Sequence, residues 1–128
     1  MALVDILQFP HFIVMLLGVI HLSIAILLVA FHKPKKWFSL HVIFASSGIE
    51  LIIIGLLILN ALVLDIPHGI LGLIVIIVLI GELIGGIVAV RTKERNIRKA
   101  HIWISRITYI LTLFAVILGI ISFSIIYS

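Results

Sequence analysis

The sequence predicts an all-α protein, an integral membrane four-helix bundle with antiparallel, up-down topology. Hydrophobic residues make up 64% of the 128 residues, and the mean hydropathy is +1.47. A soluble domain of this size cannot bury so much apolar surface. The apolar residues also fall in four stretches, and the length of each is close to that of a membrane-spanning helix, about 20 residues. We therefore expect one transmembrane domain, residues 1–128, without an internal repeat and with helices at 11–31, 37–60, 68–90 and 100–126.

The first two predicted helices have recognisable ends. Pro10 suits the first turn of a helix, and Pro34 in the HKPKK stretch can neither continue a helix nor favour one just before it. The apolar run from His11 to Phe31 is longer than the apolar core of a secretory signal. We therefore interpret it as a true membrane span.

Short connections should set the order of the remaining helices. A turn through Asp65 and Pro67 leads into the third helix, and the charged stretch RTKERNIRK, 91–99, predicts a loop before the fourth. Helices joined by such short connections lie antiparallel and adjacent.

The net charge of +4 is concentrated in two of these connections, which favours a topology signal over nucleic-acid binding. Positively charged loops stay in the cytoplasm, so we expect a multi-pass cell-membrane protein with both termini outside. The basic residues of these two connections are Lys33, Lys35, Lys36, Arg91, Lys93, Arg95, Arg98 and Lys99.

The absence of cysteine excludes disulfides, iron–sulfur ligation, thiolate chemistry and covalent haem attachment.

Four histidines stand at membrane-boundary positions on four successive predicted helices. His11 and His68 open the first and third helices at one face, and His41 and His101 lie just inside the second and fourth at the opposite face. Helix rise separates the two depths by about 25 Å. Intramembrane ionisable residues are functional by default, although a single boundary histidine can also contact headgroups or cap a helix.

Two facing histidine pairs suit two non-covalent b haems, each with bis-histidine ligation. Haem iron with two imidazoles is saturated, which favours electron transfer over oxygen chemistry. Zinc is a weaker alternative, because two histidines supply half of a tetrahedral shell. Arg106 is predicted to bind a haem propionate, with an ion pair to Glu82 as the alternative.

Other polar and small residues carry open alternatives. Near the midplane, Glu50 and His21 could pair to fix helix packing, carry a proton or bridge two cofactors. Small residues near the proposed ligands suit either a flat cofactor or ordinary helix packing. These small residues are Gly48, Gly69, Gly72 and Ser105.

Several segments resemble the cytochrome b561 family across nearly the whole chain. They are HFIVM at 11–15, AILLVAFHKPKKWFSLH at 25–41, HGILG at 68–72 and IRKAHIWISRITYI at 97–110, the last with Arg106 five positions after its histidine. The resemblance implies a four-helix core with two b haems, the outer on His11 and His68 and the inner on His41 and His101. Glu82 stands where the family commonly has glutamine and Ser105 where it has glycine, so the ascorbate donor of many members is not carried over.

The sequence therefore predicts transmembrane electron transfer within the lipid bilayer. The electron donor and acceptor are not identified; quinones and redox protein subunits are the candidate classes. Oxidoreductase activity and a homo-oligomer both remain open. Two alternative functions stand beside this one: a haem-bearing membrane anchor of a quinone-linked respiratory complex, and a non-redox helical membrane protein that uses its histidines for packing or proton movement.

Overall fold

The computed structural model describes residues 9–59 and 66–126, and it has four α-helices and no strand in these ranges. They are α1 (Pro10–Phe31), α2 (Trp37–Ile58), α3 (Pro67–Thr92) and α4 (Arg95–Ile126). Each of the four contains a span long and apolar enough to cross a membrane. The all-α, four-helix, multi-pass fold is thus confirmed.

The ends of α1 agree with the sequence prediction. Pro10 is its first residue, where the missing N–H of proline costs no helical hydrogen bond. His32 follows the last residue in a left-handed conformation (φ 52°), and its N–H donates to Leu28 O. This cap closes the helix two residues before Pro34.

The predicted loop at 91–99 is wrong, because most of this charged stretch is helical. α3 continues to Thr92, and α4 begins at Arg95 rather than at residue 100. Only Lys93, left-handed with φ 57°, and Glu94 separate the two helices. Arginine, lysine and glutamate are good helix formers, and their exposed side chains here let each helix extend past its apolar span. The predicted end of the second helix at Asn60 and the turn at Asp65 lie outside the described residues.

The helices form two tight hairpins, α1–α2 and α3–α4, which contact each other far less than the helices within each hairpin do. Glycine permits the close approach in the first hairpin. A Cβ added at Gly18 would lie 3.0 Å from Gly48 O, and one at Gly48 would lie 3.0 Å from Gly18 O. Gly48 therefore serves helix packing, one of its two predicted roles.

The two hairpins meet at the middle of the bundle. Leu22, Ile49 and Ile52 of the first hairpin form one buried cluster with Val75, Ile76 and Leu79 of the second. The hydroxyl groups of Ser23 and Tyr109 hydrogen-bond between α1 and α4 (2.7 Å). At one end, Phe9 and Phe123 pack edge to face with ring centroids 4.6 Å apart, which joins the start of α1 to the end of α4.

Candidate cofactor site

His11 and His68 face each other across the two hairpins at the end of the bundle that holds Phe9 and Phe123. Their ring centroids are 6.4 Å apart, and the ring planes are nearly perpendicular at 78°. Two imidazoles on opposite sides of one metal ion, each bonded at about 2 Å, have ring centroids roughly 6 Å apart. The observed separation therefore fits one metal ion between the two rings.

Both histidines are oriented by backbone carbonyl groups within their own hairpins. His11 Nδ1 donates to Gly55 O (2.7 Å), and His68 Nδ1 donates to Ala115 O (2.8 Å). A carbonyl oxygen only accepts, so these contacts place the proton on Nδ1 and leave the Nε2 lone pair for a metal. Such a partner is what metal-bound histidines usually have.

The second pair lies near the opposite end of the bundle. His41 Nδ1 donates to Ala25 O (3.0 Å), which gives His41 the same tautomer as His11 and His68. His101 lies beside α3, where a Cβ added at Gly86 would be 3.2 Å from His101 Cε1. The titratable side chains that interact electrostatically with His101 are Glu82 and His41. The structure thus brings His41 and His101 into one neighbourhood.

A regular spacing relates the histidines to their carbonyl acceptors. In three helices the accepting residue follows that helix's own histidine by fourteen positions: Ala25 after His11, Gly55 after His41 and Ala115 after His101. Fourteen residues of helix rise about 21 Å, which separates the two pairs in depth. The sequence analysis missed these acceptors, although a small residue fourteen positions after three of the four histidines is a signal that it could have used.

His101 is the exception among the four histidines. Its Nδ1 is buried without a hydrogen-bond partner in the described part of the chain, and the same is true of Glu82 Oε1. Both residues line a cavity of about 360 Å³ between α3 and α4, together with Val78, Gly81, Gly85, Ile97, Ala100 and Ile104. Glu82 follows His68 by the same fourteen positions, so it occupies the place that a small acceptor residue has in the other helices.

Glycine allows the close approach of a neighbouring helix to the rings of His68 and His101. A Cβ added at Gly119 would lie 2.9 Å from His68 Cε1, whereas one at Gly72 would meet nothing within 4 Å. The separation of the His11 and His68 rings and their Nδ1–H tautomers are compatible with one haem iron between the two hairpins. Zinc fits less well, because no group of three or more His, Cys, Asp or Glu side chains converges within residues 9–59 and 66–126.

Arg106, predicted to bind a propionate, is exposed on α4. Its guanidinium carbon lies 5.3 Å from the ring centroid of Trp103, a cation–π distance. Glu82 Oε1, its alternative predicted partner, is buried and makes no hydrogen bond within the described residues. Propionate binding by Arg106 stays a prediction.

The remaining histidines have local partners. His21 Nδ1 donates to Leu17 O on its own helix (2.8 Å), and the His21 ring lies 5.5 Å from that of Phe44. His32 packs edge to face on Trp37 at the basic end of the bundle. Glu50, which the sequence analysis considered as a partner for His21, is exposed on α2.

No protein-family model, no curated protein and no solved structure matches this chain. The functional conclusion therefore rests on the geometry of the two histidine pairs.

Proposed function

We propose that this protein is a dihaem membrane cytochrome of the b561 type, which carries single electrons across the bilayer. His11 and His68 bind one b haem, and His41 and His101 bind the other. The observation that carries the proposal is the 6.4 Å separation of the His11 and His68 rings, together with the carbonyl acceptors that set the Nδ1–H tautomer of both.

The chain itself would hold the two haems, orient their histidine ligands and keep water out of the region between them. The carbonyls of Gly55, Ala115 and Ala25 hold the Nδ1 protons of His11, His68 and His41, so that the Nε2 atom of each ring is available to a metal. Haem iron with two imidazole ligands exchanges electrons and leaves no open coordination position for oxygen. The central apolar cluster, which includes Ile52 and Leu79, excludes water between the two sites.

The two ends of the bundle differ in charge, which supports an orientation in the membrane. The basic residues of both connections are exposed at the end that holds His41 and His101. By the positive-inside rule this end faces the cytoplasm, and the His11 and His68 end faces outward. A quinol or a reduced redox protein on one face supplies one electron at a time, and an oxidised partner of the same kind accepts it on the other.

Electron transfer across vesicles tests the proposal. Purified protein is reconstituted into vesicles with trapped ferricyanide, and dithionite is added outside. We expect rapid bleaching of ferricyanide, which His11→Ala and His101→Ala slow to the rate of protein-free vesicles, since each change removes one of the two haems in the path.

His21→Ala is the matched control, because His21 donates to Leu17 O of its own helix and packs near Phe44, away from both histidine pairs. It should keep the wild-type rate. Bleaching no faster than in protein-free vesicles, by protein that carries both haems, would contradict the proposed function.

One observation favours the second candidate, a haem-bearing anchor of a larger complex. Glu50 is exposed on α2, and Ser46 and Ser47, one turn before it, bond only to carbonyl groups of their own helix. An ionisable side chain facing lipid costs a few kcal/mol, which a neighbouring subunit would relieve. Native mass spectrometry of the complex extracted from membranes distinguishes the two: a second polypeptide that Glu50→Gln releases supports the anchor function, and a chain found alone contradicts it.

A further inference from the structure

Glu82 and His101 each bury a polar atom that has no hydrogen-bond partner among residues 9–59 and 66–126, and the two residues line one cavity. The atoms are Glu82 Oε1 and His101 Nδ1. Leaving a buried polar group without a hydrogen bond is unfavourable. One hydrogen bond between the two would satisfy both, since a neutral histidine that binds metal through Nε2 has its proton on Nδ1. The last torsion of a glutamate side chain is soft, so the carboxylate can turn towards His101 within the cavity that both residues line.

The spacing of the other three sites places Glu82 in this role independently. Each of His11, His41 and His68 donates to the residue that lies fourteen positions after the other histidine of its hairpin. The residue at the corresponding position for His101 is Glu82, fourteen after His68. At the other three positions, glycine or alanine offers only a backbone carbonyl. At the fourth position, glutamate offers a carboxylate.

We propose that the Glu82 carboxylate accepts the Nδ1 proton of His101 and thereby lowers the reduction potential of the haem at the basic end of the bundle. The proposal rests on the proposed function, because it needs a haem bound by His41 and His101. Glu82 is a positioning residue, since it acts through His101.

The physical reason is the charge of the acceptor. A carboxylate draws the Nδ1 proton more strongly than a carbonyl does, which makes Nε2 a stronger donor to iron. A more basic ligand and a nearby negative charge both stabilise the ferric state, and hydrogen bonding behind the axial ligand is an established lever on haem potential. The Arg and Lys residues of this end are exposed, so solvent and salt screen their opposing effect.

The consequence is a direction for electron flow. Three of the four histidines have neutral acceptors, and the single charged acceptor is at the His101 position. The haem on His41 and His101 therefore has the lower potential, and electrons pass downhill from the basic end towards the His11 and His68 end.

A redox titration of purified protein with Glu82→Gln tests this inference. Glutamine keeps an acceptor oxygen and removes the charge. We expect one haem to become about tenfold easier to reduce, which is a rise of about 59 mV for one electron, while the other haem keeps its potential. The shifted haem should be the one that His101→Ala removes. Glu94→Gln, which removes an exposed charge from the connection between α3 and α4, is the matched control and should shift neither haem.

Unchanged potentials in Glu82→Gln with both haems bound would overturn the inference and leave the proposed function standing. Wild-type protein without haem would overturn both. If Glu82→Gln loses a haem, infrared difference spectroscopy tests whether the Glu82 carboxylate responds to the redox state of the haem. In a Glu50→Gln, Glu94→Gln protein made with carbon-13 glutamate, Glu82 is the one remaining glutamate. A labelled carboxylate band in the reduced-minus-oxidised spectrum supports the contact, and its absence overturns it.

Discussion

The two hairpins position their histidines in the same way, except that Glu82 stands where the other three corresponding positions have glycine or alanine. In α1–α2 both histidines donate to backbone carbonyl groups, those of Gly55 and Ala25. In α3–α4 His68 does so, while His101, in the cavity that Glu82 also lines, has a buried Nδ1 without a partner among the described residues. The difference shows how one four-helix bundle can bind two identical cofactors and give them different reduction potentials. The helices set the positions of the histidine ligands, and the hydrogen-bond acceptor of each histidine sets how strongly that histidine donates to iron.

The largest effect is expected when the proposed histidine ligands themselves are replaced. Replacing His41 or His101 by alanine should reduce the haem content from two per chain to one, and replacing His11 or His68 should remove the other haem. Each pair shares one metal in our account, so the two members of a pair should give the same residual spectrum. Haem extraction with pyridine counts the haems, and a redox titration identifies which remains.

His32→Ala is the control for these variants, since His32 packs on Trp37 outside both pairs. A His11 variant whose residual spectrum matched that of the His41 variant, rather than that of His68, would show that the pairing is wrong.

A smaller effect should come from filling the space beside one ligand. A Cβ at Gly119 would lie 2.9 Å from the His68 ring, so Gly119→Ala must displace that ring or α4. Overpacking of this kind costs about 1–3 kcal/mol, or roughly 5- to 150-fold in affinity for the haem at that end. Titration of haem into the apoprotein measures it, and the site at His41 and His101 should keep its affinity.

Gly81→Ala is the matched control on the other helix of the same hairpin, because its Cβ would meet nothing within 4 Å and it lies thirteen residues from His68. Equal losses in the two variants would mean that the packing around His68 does not control haem binding.

The smallest expected effect concerns the contact between the hairpins. Tyr109→Phe removes the hydrogen bond to Ser23 while Ser23 still donates to Val19 O. Loss of one such bond should lower the free energy of unfolding by about 1 kcal/mol without changing haem content. Thermal unfolding in detergent, followed by circular dichroism, tests this. A loss of either haem would instead make this contact part of the cofactor site.

Much of the fold follows directly from the sequence. Apolar length and the prolines Pro10 and Pro34 predicted the bounds of α1 because these features act locally. The start of α4 at Arg95 was missed because charge was interpreted as loop, although solvated arginine and lysine extend helices well.

The candidate site was predictable only in part. The depths of the four histidines follow from helix rise, and the structure brings His11 next to His68 as expected. The acceptors could not be assigned, because any backbone carbonyl can accept and only tertiary packing selects Gly55 or Ala25. The shared fourteen-residue spacing became visible once these contacts were known, although the sequence had shown no internal repeat.

The most direct test of the central claim is to count the haems in purified wild-type protein and record their electron paramagnetic resonance spectrum. We predict two haems per chain, both low-spin ferric, because each iron has an imidazole on both sides. Protein without haem, or with one haem, or with a high-spin ferric signal from an iron that lacks its second histidine, would contradict the account.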